Sequence, residues 1–179
     1  ADVLSAQSDE SVGARDHDYW LGPERAAIIE SLRRDTSWRV PADAVPSTYP
    51  DVLDGGRALR FVPADRPDPR SRAVHILYGD GPGRRSAGNH LDDFRKLKPR
   101  WTERDVMQAL DLALACPFSI ELRGSQHYFR RIVDCVPVEV RVMDRKRQPL
   151  RTAYPAVEDV GRIAAGQARQ RVRWGPWRR

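Results

Sequence analysis

Residues 75–90 read HILYGDGPGRRSAGNH: two histidines bracket a stretch rich in Gly and Arg, and TAYP follows at 152–155. Two imidazoles are the minimal equipment for moving protons on and off oxygen near neutral pH. The neutral ring can take the proton of a ribose 2′-hydroxyl, and the freed oxygen can then attack the adjacent phosphorus in line. The protonated ring can give a proton to the departing 5′ oxygen, leaving a 2′,3′-cyclic phosphate and a 5′-hydroxyl. Only RNA carries the 2′-hydroxyl this route needs. The Gly and Arg residues between the histidines, Arg84 and Arg85 among them, offer backbone N–H groups and fixed charge to a phosphate. Charge developing on phosphorus needs a further cation, and Lys96, Lys98 and Arg100 in FRKLKPRW lie within ten residues of His90. No Asp/Glu cluster with metal-ligand spacing lies near the bracket, so the expected chemistry uses neither metal nor cofactor. The other two of the four histidines have weaker claims: His127 starts a strand pattern and reads as structural, and His17 lies in a polar N-terminal stretch.

The charge distribution points to the same partner. Residues 1–70 hold 9 Lys/Arg against 13 Asp/Glu, a net of −4, whereas residues 71–179 hold 22 against 12, a net of +10. The basic half is the half with the histidines, and its bias toward Arg favours planar, bidentate phosphate contacts. Such a surface also attracts an acidic protein cover. The longest apolar run, ALDLALACPF, falls far short of the roughly 20 residues that span a bilayer, so no membrane-spanning segment is expected. The chain begins at Ala1 rather than Met and reads as a processed product or a piece of something longer.

The elements that must position these groups lie mostly in the second half. Residues 23–34, PERAAIIESLRR, predict a helix, with Pro in the first turn, acid early and base late. Residues 40–73 are proline-rich with one strand candidate, ALRFV at 58–62, and read as a linking or wrapping segment. Thr102 with Asp105 resembles a capping box ahead of VMQALDLALA, an amphipathic helix stopped by Pro117. Strands are predicted at 118–122, 127–133, 136–143 and 149–154, the third with Val136, Val138, Val140 and Val142 on one face and Glu139 and Arg141 on the other. Residues 156–172 predict a weak helix before an aromatic-basic tail with Trp174 and Trp177. Cys116 and Cys135, one ending the helix and one in a strand pattern, read as buried free thiols. Helix followed by antiparallel meander predicts an α+β fold, a helix packed on an antiparallel sheet, with an N-terminal helical and irregular extension.

HILYGD, a Gly-containing loop ending in His, a Pro-x-Trp helix start, a Val-rich strand and TAYP together resemble the bacterial EndoU-type ribonuclease domain, over residues 72–156. Domains of that family occur as C-terminal toxin modules of contact-dependent growth inhibition and other polymorphic toxin systems. The resemblance implies the small barnase/EndoU-like ribonuclease fold. It implies catalytic roles for His75, His90, a lysine best matched by Lys96 or Lys98, and Thr152 and Tyr154 of the Thr-x-Tyr pattern. It further implies metal-independent cleavage of RNA, with tRNA as the substrate class, by a toxin delivered from the cell surface as part of a larger protein and acting in the target cytoplasm. A cognate acidic immunity protein would be its partner. On that reading residues 1–70 form a delivery or linker region and 71–179 the nuclease domain. The competing expectation is a non-catalytic RNA-binding or protein-interaction module that keeps only the basic face; a nucleotide-processing hydrolase using the same groups is a third.

Overall fold

The computed structural model describes residues 21–47, 49, 66–81, 89–143, 150–159 and 161. These residues form an α+β fold of four helices and one four-stranded antiparallel sheet in meander order. The helices are α1 (Gly22–Arg34), α2 (Ala73–Tyr78), α3 (His90–Leu97) and α4 (Glu103–Ala115), and the strands β1 (Ser119–Arg123), β2 (Gln126–Val133), β3 (Val136–Met143) and β4 (Leu150–Pro155). The strand expected at 58–62 lies outside the described residues. Of the weak helix expected over 156–172, a short 3-10 turn at Val157–Asp159 is seen, and most of the remainder lies outside them.

Local chemistry accounts for the helix and strand ends. Thr102 Oγ1 accepts from Asp105 N–H at 3.3 Å, while Asp105 Oδ2 accepts from Thr102 N–H at 2.8 Å. An aspartate thus closes the capping box that more often ends in Glu or Gln. The β2–β3 turn is the two-residue loop Asp134–Cys135, with φ of 48° and 65°. A type I′ turn demands positive φ at both central residues and matches the strand twist, so this hairpin closes without the usual glycine. Cys135 is therefore an exposed turn residue rather than a buried strand thiol, because the strand ends at Val133; Cys116 is buried as expected.

The sheet has one apolar face. Phe129 of β2, Val140 of β3 and Ala153 of β4 are in register, all almost fully buried, with Ile120 of β1 beside Phe129. Helix α4 lies across β2 and β3 on this side, contributing Val106, Met107, Leu110 and Leu114 to the same core. His127 is buried, in register with Leu122 and Val142, as befits a structural histidine. Helix α1 and the residues after it add Ile29, Leu32, Trp38 and Val40, so the acidic and basic halves share one core. The junction is polar: Asp111, fully buried on α4, accepts Val40 N–H at 2.7 Å, Arg39 Nη2 at 3.1 Å and Arg66 Nε at 3.4 Å.

The other face of the sheet is polar yet largely shielded. Glu121, Tyr128, Arg130, Glu139, Arg141, Thr152 and Tyr154 share it, and both Arg130 and Glu139 are fully buried. The alternation of β3 puts Glu139 opposite the valines, but hydropathy alone does not mark it as buried. Its burial is tolerable because Arg130 Nε donates to it at 2.7 Å. Among the described residues, no helix is long and apolar enough to cross a membrane.

Candidate functional site

The two histidines do not hang at the edges of one loop; both are helical. His75 sits inside α2, a short buried helix that ends because Gly79 adopts φ of 85°, a region that favours glycine. The turn brings Asp80 back under the ring, with Asp80 Oδ1 2.5 Å from His75 Nδ1. His90 is the first residue of α3, entered through Asn89 in the left-handed region at φ of 64°. Asn89 N–H donates to the His75 carbonyl at 3.4 Å, so one backbone contact joins the end of α2 to the start of α3. The sixteen-residue span of the bracket thereby sets His75 within α2 and His90 at the start of α3, two helices packed against each other.

Each ring is oriented by a carboxylate through Nδ1. For His90 that partner is Asp93 Oδ2 at 3.1 Å, three residues along α3, and the other oxygen of Asp93 holds Lys96 Nζ at 2.9 Å. Burial would raise the Asp93 carboxyl, but its hydrogen bonds from Lys96 and His90 hold it below the ordinary range. His75 goes the other way: burial pushes its imidazole below the ordinary 6.5, and the bond to Asp80 only partly opposes that. With Nδ1 occupied as a donor, Nε2 is the nitrogen left for proton transfer. His90 Nε2 is buried and without a partner among the described residues. So is the hydroxyl oxygen of Thr152.

Helix α3 packs Leu91 and Phe94 inward, Phe94 stacking on Trp101 at 5.9 Å, and lies against β4. This seats the His90 ring 5.8 Å from the ring of Tyr154. A groove of about 250 Å³ opens here, lined by His90, Asp93, Lys96, Leu97, Tyr154, Pro155 and Val157. Leu97 and Val157, 40% and 52% exposed, give it an apolar rim. The Tyr154 hydroxyl is engaged on both sides. Its O–H donates to Glu139 Oε1 and its oxygen accepts from Arg141 Nη2. Burial first, and then Glu139, pushes the phenol up to about 12.

The sequence-derived cations scatter. Lys96 reaches the groove, though its side chain is 74% exposed. Lys98 turns instead to Asp134 at the β2–β3 turn, 3.3 Å away, and Arg100 lies exposed before α4. Arg84 and Arg85 lie outside the described residues, as do His17, Trp174 and Trp177. Three members of the site escaped the sequence reading: Asp80, Asp93 and Arg141. Asp93 carries a legible signal, the i, i+3 spacing from His90 at a helix start, and Asp80 closes HILYGD. Arg141 becomes visible only once the register sets it opposite Thr152. Among the described residues, no three His, Cys, Asp or Glu side chains stand close enough to hold a metal ion. Comparison of the chain with protein-family models, with curated proteins and with solved structures finds no match.

Proposed function

We propose that this chain is an endoribonuclease that cleaves RNA by attack of the 2′-hydroxyl, on the small ribonuclease fold that EndoU-type and barnase-like enzymes share. One observation supports the reading: two histidines fifteen positions apart lie on adjoining helices, linked by the Asn89 N–H to His75 carbonyl bond, each with Nδ1 on its own carboxylate. A ring so held has a fixed tautomer and presents Nε2, which is what general acid–base work on oxygen requires. His75, kept neutral by burial, is the base that takes the 2′-hydroxyl proton. His90, with its unpartnered Nε2, returns a proton to the 5′ oxygen. The Thr152 hydroxyl, buried and without a partner among the described residues, is a donor for a nonbridging phosphate oxygen, and the Tyr154 ring offers a face beside the groove. Lys96 stands at the groove's mouth, where its charge draws in the polyanion.

The biological setting we propose is interbacterial competition. The chain would be a toxin module delivered as part of a larger protein, acting on RNA, tRNA foremost, in the target cytoplasm. An acidic immunity protein would cover the basic face in the producing cell. The +10 net charge of residues 71–179 supports both the RNA and the acidic cover. The test is incubation of the purified chain with total bacterial RNA, with and without EDTA, followed by mapping of the ends. Cleavage that persists in EDTA and leaves 2′,3′-cyclic phosphates is the expected result. Strict dependence on a divalent ion, or 3′-hydroxyl ends, would overturn the proposed chemistry.

A further inference from the structure

The chemistry just proposed needs a fixed positive charge facing the phosphate, and neither Lys96 nor Lys98 supplies one. Lys96 is a flexible stem, 74% exposed and tied to Asp93, and Lys98 is tied to Asp134. Tyr154 has its hydroxyl proton committed to Glu139. One cation on the same face of the sheet is built differently. Arg141 on β3 stands directly opposite Thr152 on β4. Its Nε donates to Glu139 Oε1 at 3.2 Å and its Nη2 to the Tyr154 hydroxyl. Its Cζ lies 4.8 Å from the ring centroids of both Tyr128 and Tyr154.

Every one of these contacts fixes the plane of the guanidinium, yet none uses Nη1. No partner is found for that nitrogen among the described residues, and the side chain is 32% exposed. Glu139 does not cancel the charge by itself, because it is shared with Arg130 at 2.7 Å. A guanidinium held by two hydrogen bonds and two aromatic faces has already lost the rotamer freedom that binding otherwise costs. Its free edge and the Thr152 hydroxyl, buried and without a partner among the described residues, belong to cross-strand neighbours on one face, a pair of donors suited to the two nonbridging oxygens of a phosphodiester.

We propose that Arg141 is the cation that grips the phosphodiester at this site, with Glu139 and Tyr154 as the residues that position it. This rests on the ribonuclease reading above, and the experiment separates the two. Binding of a short, uncleavable 2′-O-methyl oligoribonucleotide is measured over a series of salt concentrations. The proteins are the full chain, Arg141→Gln, Arg141→Lys, and Arg34→Gln, which removes one positive charge from α1, where Arg34 pairs with Glu30. Cleavage of unmodified RNA is measured in parallel, with circular dichroism confirming the fold.

Arg141→Gln is expected to weaken binding about tenfold and to lower the slope of log K against log salt by about 0.7, the loss of one single-strand phosphate contact. Cleavage should fall about 10²- to 10³-fold, the range for losing a donor aimed at transition-state charge. Arg34→Gln should leave cleavage unchanged. Arg141→Lys should keep the fold and most of the salt slope but lose at least about tenfold in cleavage, because an ammonium cannot present the fork. An unchanged salt slope in folded Arg141→Gln overturns the assignment; so does wild-type cleavage by Arg141→Lys if the glutamine variant fails to fold. If the full chain cuts no RNA at all, the ribonuclease reading falls, and the salt slopes still decide whether Arg141 holds a phosphate.

Discussion

Replacing Asp111 by alanine attacks the joint between the acidic and basic halves of the chain. The carboxylate is fully buried in the middle of α4 and gathers Val40 N–H, Arg39 and Arg66. In the variant, Arg66, 8% exposed, keeps its charge in a poorly solvated place with the Val40 carbonyl but without its carboxylate; Arg39, 21% exposed, is partly relieved by water and by Asp68 at 2.8 Å. Removing one partner of a buried pair costs about 3–5 kcal/mol, and stranding the Val40 amide about 1–3 kcal/mol more if nothing relaxes. Because Arg39 retains Asp68 and some water, the lower end of the first range applies, and with the Val40 amide relaxing onto water the total is about 3 kcal/mol. For a fold of ordinary stability, about 5–15 kcal/mol, that is a fifth to more than half of the total. Equilibrium urea unfolding followed by tryptophan fluorescence checks it, since Trp38 is in the same core. With a slope of about 2 kcal/mol per molar, the midpoint should fall by about 1.5 M with the slope unchanged. A fall below about 0.5 M would show that Asp111 does not fasten the two halves, and the single-core account would have to be given up.

The same joint governs truncation: removing residues 1–68 strips Ile29, Leu32, Trp38, Val40, Arg39 and Arg66 from the core and from Asp111, so the remainder should show a broad, weak thermal transition rather than a cooperative one. A sharp transition close to that of the full chain would contradict this. The acid limb of kcat/KM should lie below pH 6.5, because burial lowers the His75 imidazole and keeps it neutral further into acid. Its share of fold stability is likewise present above 6.5 and lost as the pH falls through the lowered value. Asp80→Asn removes the carboxylate charge that opposes burial, so the limb should move to still lower pH while the plateau rate drops; a shift to higher pH would refute the assignment. Ellman's reagent should modify one thiol quickly and one only on unfolding, since Cys135 is exposed whereas burial raises Cys116 to about 12; two fast thiols would contradict the turn geometry.

The sheet was legible because its signals are local. Period-two valines in β3 and short apolar runs bounded by turn residues mark all four strands to within a residue or two. Pro23 and the Thr102 cap likewise announce α1 and α4. Helix α2 was not legible: six residues are too few to show a period, and its burial on nearly every side erases amphipathicity. The loop look of residues 79–89, with its four glycines, masked the helices on both flanks, although α3 has strong polarity between Leu91 and Phe94 and its charged face. His75, His90, Thr152 and Tyr154 could be named from residue type and resemblance alone. Choosing among Lys96, Lys98 and Arg141 could not be done that way, because which cation faces Thr152 is a property of strand register and not of distance along the chain. Cys135 misled for a similar reason, since the exposed turn between two strongly hydrophobic strands is only two residues long.

The most direct test of the central claim is single-turnover cleavage of one defined RNA, in EDTA, by the full chain and by His75→Ala, His90→Ala and His127→Ala. The two site histidines should each lower the rate about 10²- to 10⁴-fold with the fold intact, the range for loss of a general acid or base. His127, buried on the apolar face of the sheet, should affect the rate only as far as it lowers the folded fraction. Full activity in either His75→Ala or His90→Ala would contradict the account, because the paired imidazoles are the whole of its proton chemistry.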